Sequence, residues 1–328
     1  MKHFFVINSH SFRTSEKLKA ILKSIEDSFS STVEYEIYKT RFPRDAIAAV
    51  HRFISRFPKD ETIRVYAVGG DGILFECLNG MVDFPNAELT SVPYGRANDF
   101  VRAFGKDAAA SFRDIKKLSV SPSRPVDIMH CGSGYALIEV NIGLVGKTIV
   151  YANEVLCKIK SEFLSRYVSG IYTVSALKAL RDPNLVHQKY SVFIDGEPLS
   201  GTYCNIHIAN VPCDGGNFVP SPYADPTDGA LDAIFMTAKN QFEVLRLIND
   251  RNKGRFEKHD SFIYRKCEQM QVKSDALLCV QLDGEGFYES EFNIEIIPGG
   301  IKFFAPTGLD FKDYSYMAYK SGKGGKKV

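Results

Sequence analysis

Apolar residues in the first third of the chain recur with two alternating periods. Short β-rich runs at 4–7, 33–38, 63–68 and 89–92 have the length of buried strands. Between them, Leu18, Ile21, Leu22 and Ile25, then Ile47, Val50, Phe53, Ile54 and Phe57, fall at helical spacing, and 73–81 predicts a further helix. Strands alternating with helices predict parallel pairing in a three-layer α/β domain. After about residue 125 the pattern changes. Segments 127–129, 135–141, 189–194, 203–210, 231–236, 271–273, 276–282, 292–297 and 302–305 read as strands. Hairpin-type turns such as Asp195-Gly196-Glu197-Pro198 separate several of them. This predicts a mainly antiparallel second domain, a β-sandwich. A long helical stretch over 148–181, broken at Ser169-Gly170, interrupts it. The expected division is an α/β domain over 1–127 and a β-rich domain over 128–305. Residues 306–320 are expected to pack back on the first domain, and 321–328 to form a flexible basic tail.

The chain has 328 residues, 45% hydrophobic and 24% charged, which suits a globular protein of about two domains. A net charge of +2 supplies no field that would mark a nucleic-acid binder, so no nucleic-acid partner is expected. No stretch reaches the roughly 18 apolar residues of a spanning helix. The first residues do not fit a signal peptide. Seven cysteines, at 77, 131, 157, 204, 213, 267 and 279, form no CxxC pair. Such a dispersed, odd set fits reduced thiols in a cytoplasmic protein, acting as small buried hydrophobes.

Three segments carry candidate chemistry. Val68-Gly69-Gly70-Asp71-Gly72 joins a strand to a helix. Backbone N–H groups at such a turn point at one spot, and glycines let a phosphate approach the backbone. A carboxylate there would repel a bare phosphate, so Asp71 makes sense as a partner of Mg²⁺; the alternative is a tight β-α turn with an exposed aspartate. Val92-Pro93-Tyr94-Gly95-Arg96-Ala97-Asn98-Asp99-Phe100 follows another strand. Parallel strands end along one edge, so Asp71 and Asp99 are expected to face one cleft; plain helix capping is the other reading of Asn98-Asp99. In Leu282-Asp283-Gly284-Glu285-Gly286, carboxylates at i and i+2 share a face and suit a hydroxyl or a metal, or else simply form an acidic hairpin turn.

Together these segments resemble the diacylglycerol kinase catalytic-domain family, in its bacterial soluble lipid-kinase branch; sphingosine and ceramide kinases are related. The family pattern is roughly GGDGTxNE with a following NG, then PxGTxNDFAR, then a late DGE. The chain reads Gly69-Gly70-Asp71-Gly72-Ile73-Leu74-Phe75-Glu76 with Asn79-Gly80, then Pro93-Tyr94-Gly95-Arg96-Ala97-Asn98-Asp99-Phe100-Val101-Arg102, then Asp283-Gly284-Glu285. Ile73 and Arg96 stand where the pattern has threonine, Phe75 where it has asparagine, and Phe12 where the first loop has glycine.

The resemblance implies an ATP-dependent lipid kinase with Mg²⁺, acting on diacylglycerol before other lipid hydroxyls and giving phosphatidic acid. It implies nucleotide contacts from Asn8, Ser9, His10 and Ser11, from Thr40, from Gly69, Gly70, Asp71, Gly72 and Glu76, and from Gly95, Arg96, Asn98 and Asp99. Asp127 would join Asp71 and Asp99 in the Mg²⁺-ATP network. Asp228 would hold a second, structural Mg²⁺, assisted by the carbonyls of Asp225 and Ala230. Asp283 is the expected general base, oriented by Glu285, with Asp71 as the alternative base. The lipid would be met at a membrane surface and enter the β domain, where the apolar stretch 162–180 lines an acyl pocket or simply packs as core. A homodimer is left open. Two other readings keep the same turn or fold: an NAD kinase-like enzyme, and a catalytically silent lipid- or nucleotide-binding regulator.

Overall fold

In the computed structural model, the first four apolar runs are strands β1 (Lys2–Ile7), β2 (Tyr35–Lys39), β3 (Ile63–Gly69) and β4 (Ala87–Pro93). They pair in parallel in the order β4-β3-β1-β2. Helices α1 (Ser15–Ser28), α2 (Asp45–Ile54) and α3 (Asp71–Met81) connect them, and the short α4 (Asp99–Arg102), α5 (Ala108–Phe112) and α6 (Ile115–Leu118) follow β4. All of β3 is buried, which is why it reads as one apolar run rather than as an alternation. Everything is described except residues 13, 30–32, 133, 157, 159–167 and 320–328, and the side chains of 10, 168–169, 183, 258 and 318–319.

The second half contains β5 (Ser123–Cys131), β6 (Gly134–Ala136), β7 (Glu139–Gly143), α7 (Leu144–Leu156), α8 (Val168–Leu180) and α9 (Pro183–Val186). It continues with β8 (Gln188–Ile194), β9 (Glu197–Pro198), β10 (Gly201–Tyr203), β11 (Asn205–Ala209), β12 (Leu231–Met236) and α10 (Gln241–Arg251). Strands β13 (Phe262–Cys267), β14 (Gln269–Leu282) and β15 (Glu285–Phe304) and helix α11 (Tyr316–Tyr319) close it. The sheet path is β13-β12-β11-β7-β14-β15-β4-β3-β1-β2. An N-terminal α/β domain and a C-terminal β-sandwich-like domain therefore share a mixed sheet, joined through β15.

Two segments expected as strand pairs are single long strands. Pro298-Gly299-Gly300 falls in the gap between the strands expected at 292–297 and 302–305, yet β15 runs through it with a register shift between Ile297 and Ile301. Asp127 secures the irregularity by accepting the Gly299 N–H at 2.7 Å. β14 likewise runs through 274–275, with a shift between Lys273 and Leu278. Return to the first core begins at Ile301, ahead of residue 306: Phe303 and Phe304 are buried there with Phe4, Tyr66 and Phe100. The chain beyond stays attached, Lys312 N–H donating to Ala103 O at 2.8 Å and Tyr314 Oη to Arg102 O at 2.7 Å.

β5 also belongs to both cores, Val126 and Ile128 facing the first and Met129 and Cys131 the second. No break occurs at Ser169-Gly170, since α8 runs through both. Phe163, Leu164, Tyr167, Cys157 and the basic tail lie outside the described residues. The six described cysteines are free and buried. Among the described residues no helix is long and apolar enough to cross a membrane.

Candidate active site

Because β1 to β4 are parallel, the loops after their C-terminal ends gather at one edge. Asn8 N–H donates to Val68 O at 3.0 Å, and a 3-10 turn over Ser9–Ser11 follows. Thr40 N–H donates to Ile7 O at 2.9 Å. The His10 side chain lies outside the described residues. Gly69 O accepts from the N–H groups of Tyr94 and Gly95, at 2.7 and 2.8 Å, tying the glycine turn to the second loop. A methyl group on Gly95 would collide with Gly70 Cα, so Gly95 must be glycine for the two backbones to touch, and one on Gly70 would lie tight against Gly95 Cα. By contrast, a Cβ on Gly72 would meet nothing within 4 Å.

Asn98 adopts a left-handed conformation, φ 54° and ψ 49°. Its amide binds Gly95 twice, accepting from N–H at 3.1 Å and donating to O at 3.0 Å. Asn98 therefore shapes the loop rather than capping α4. The cap comes from Asp71, whose carboxylate accepts from the N–H groups of Asp99 and Phe100 at 3.1 and 3.5 Å. Asp71 and Asp99 are thus brought together.

Asp99 is buried, and Oδ1 accepts from Gly216 N–H at 2.8 Å. Burial, then the charges of Asp71 and Asp214, push its carboxyl up to about 8. Burial also raises Asp71, against the pull of the backbone N–H groups it accepts. The sequence reading missed Asp214 and the buried Glu139; their charges link Asp99 to Arg251, whose Nη2 lies 3.8 Å from Asp214 Oδ2. Glu139 and Asn141 alternate with apolar residues in β7, which normally signals a solvent-facing side, yet both are buried. Such a concentration of buried carboxylates favours a cation.

Asp283 and Gly284, at φ 45° and 95°, form the hairpin turn between β14 and β15. Asp283 is buried and accepts three backbone N–H groups, from Leu137 at 2.7 Å, Ile138 at 3.0 Å and Glu139 at 2.9 Å. Burial still lifts its carboxyl to about 7, with Asp71 adding to the rise. Glu285 is half-buried and has no hydrogen-bond partner among the described residues. Its charge reaches Glu76 and Tyr172, and Arg96 acts on the same Tyr172. Glu76 itself accepts from Ala46 N–H at 2.9 Å at the start of α2, which ties it to the scaffold.

Two expected metal ligands are engaged elsewhere. The two carboxylate oxygens of Asp127 accept the N–H groups of Gly229 and Gly299, each at 2.7 Å. Asp228 is ion-paired with Lys266 and accepts from Ala230 N–H at 3.1 Å, so the cation beside it comes from the chain itself. Among the described residues no group of three or more His, Cys, Asp or Glu side chains forms a metal cage. Asp71 and Asp99 fit a hard cation that takes its remaining oxygens from phosphate and water. The departures Ile73 and Phe75 are both buried, Phe75 in the β-domain core.

Known proteins resemble both halves of the chain. Residues 2–131 match the diacylglycerol kinase catalytic domain, and residues 158–305 match the YegS C-terminal NAD kinase beta sandwich-like domain. A candidate lipid kinase of Staphylococcus haemolyticus is 25% identical over 248 residues, 73% of this chain and 75% of that protein. One from Staphylococcus aureus strain JH9 is 27% identical over 264 residues, covering 77% and 80%. The crystal structure of a candidate diacylglycerol kinase from Bacillus anthracis superposes with a TM-score of 0.72 at 22% identity, over 94% of this chain and 96% of that one, a likeness of fold. The chain therefore carries a diacylglycerol kinase catalytic domain followed by a YegS C-terminal domain.

Proposed function

We propose that the protein transfers the γ-phosphoryl group of ATP to a lipid hydroxyl, diacylglycerol first among acceptors, giving phosphatidic acid. The observation that carries this reading is the meeting of Asp71 and Asp99 beside the open space over Gly72. The phosphates would lie over the Gly69–Gly72 turn, with Arg96 at the same edge. Asp71 and Asp99 would hold Mg²⁺, which neutralises phosphate charge; phosphoryl transfer needs mostly positioning and charge stabilisation.

The acceptor hydroxyl needs a base within hydrogen-bond reach. Here the roles first expected for the late acidic pair exchange. Three N–H donors hold the Asp283 carboxylate, so it anchors the hairpin, while the unengaged Glu285 takes the proton. The lipid is met from the membrane surface.

The test offers labelled ATP with diacylglycerol in vesicles, sphingosine, or NAD. Label on diacylglycerol is expected. Label on NAD alone would replace the reading with an NAD kinase-like one, which shares the glycine turn and to which the β domain's resemblance lends support. Label on none, with Mg-ATP bound, would leave a regulator.

A further inference from the structure

Arg102 ends the second family motif, yet the proposed transfer gives it no part. It lines a cavity of about 300 Å³ together with Asn98, Val101, Lys106, Gly216 and Asn217. The charged residues in that lining are Arg102 and Lys106, both cationic. Arg102 Nη1 is buried without a hydrogen-bond partner. A buried guanidinium N–H lacking an acceptor is unusual, because such groups are normally satisfied. The Oδ1 of neighbouring Asp99 is already taken by Gly216 N–H at 2.8 Å. The cavity therefore offers the positive charge of Arg102 and Lys106 with no acid in its lining, and it has room for a phosphate group with a small polar attachment. Its lining includes neither the Gly69–Gly72 turn nor Arg96, Asp283 or Glu285.

We propose that this cavity is a second anion site, separate from the nucleotide turn, that takes a phosphate ester through Arg102 and Lys106. Arginine suits the half-buried position because its planar fork matches phosphate oxygens, and the exposed Lys106 adds a point charge at the mouth. Asn98 and Gly216 border the cavity and also fix the Gly95 loop and Asp99, so an anion bound there braces the backbone around the catalytic carboxylates. The proposal does not depend on the kinase reading, since binding is measured without turnover.

Phosphorus NMR line broadening of inorganic phosphate by the full chain tests it. Saturable broadening is expected, and it persists when a Mg²⁺-bound, non-hydrolysable ATP analogue saturates the protein. Arg102→Gln should abolish it, and Lys106→Gln should weaken it about threefold, the share of one exposed charge pair. If Arg102→Gln does not fold, Lys106→Glu serves instead, with about a tenfold loss expected from removing and reversing that charge. Displacement by phosphatidylcholine vesicles containing phosphatidylglycerol, but not by phosphatidylcholine alone, would support the site with a lipid headgroup as occupant. Displacement by glycerol 3-phosphate alone would support it with a soluble ester. Absence of saturable broadening, parent-like binding by the Lys106 variants, or stoichiometric displacement by the ATP analogue would overturn it.

Discussion

Replacing Gly72 by alanine separates two demands on the glycine turn. Gly72 is the second residue of α3, its φ does not require glycine, and an added Cβ meets nothing within 4 Å. In the absence of ligand the change should therefore stabilise the protein by about 0.5 kcal/mol, through better helix propensity and a less flexible unfolded chain. If phosphates lie over the turn, the same methyl group occupies the approach that glycine leaves clear. An intruding group in a close-packed contact costs about 2 kcal/mol, or roughly a thirtyfold rise in the KM for ATP. Thermal unfolding with and without Mg-ATP, followed by KM measurement, reads both effects. The expected pattern is a higher Tm without nucleotide and a smaller rise on adding it. A KM within twofold of the parent would refute the placement of phosphate over Gly72, and a lower Tm without nucleotide would refute the reading of the space as open.

Further outcomes follow from the same geometry. Gly95→Ala should cost about 3 kcal/mol by driving a methyl group into the Gly70 backbone, read by urea unfolding. Glu285→Gln should leave stability within about 0.5 kcal/mol and lower kcat/KM a hundredfold or more; activity within a few-fold of the parent would remove Glu285 as the base. Asp283→Asn should cost about 2 kcal/mol, because one of its three N–H donors loses its acceptor. Asp99, with its carboxyl pushed to about 8 in the cation-free protein, holds a proton below that pH. Mg²⁺ must displace the proton, so its affinity should fall by up to about tenfold per unit below pH 8 and level off above it. Calorimetry at several pH values should show this slope, and Asp99→Asn should remove it.

Much of the first domain was legible because its signals are local. Strand and helix periods alternate cleanly, and the parallel order alone brings Asn8, Thr40, the glycine turn and Asp99 to one edge. The helix α10 was equally legible but passed over: Asn240 accepts from Glu243 N–H at 3.0 Å, a capping pattern written in the sequence. What escaped depended on distant partners. Nothing around Pro298-Gly299-Gly300 says that Asp127, far back in the chain, will hold it within one strand. The resemblance gives Asp127 and Asp228 to metals, and the structure adds their contacts with Gly229, Gly299 and Lys266, which no motif encodes. Asp283 and Glu285 look alike in sequence; only the N–H groups of residues 137–139, which Asp283 accepts, set their surroundings apart.

The strand β15 also has a consequence for the order in which the protein is made. Domains usually fold as they leave the ribosome, N-terminal first. Here the strand flanking β4 comes from residues 302–303, and Phe303 and Phe304 fill the first core against Phe100 and Tyr66. A nascent chain that already displays the Gly-Gly-Asp-Gly turn therefore lacks one wall of its own sheet until synthesis has passed the whole β domain. The two lobes mature together, and the proposed phosphate cleft cannot close around nucleotide ahead of the lobe that is to receive the phosphate.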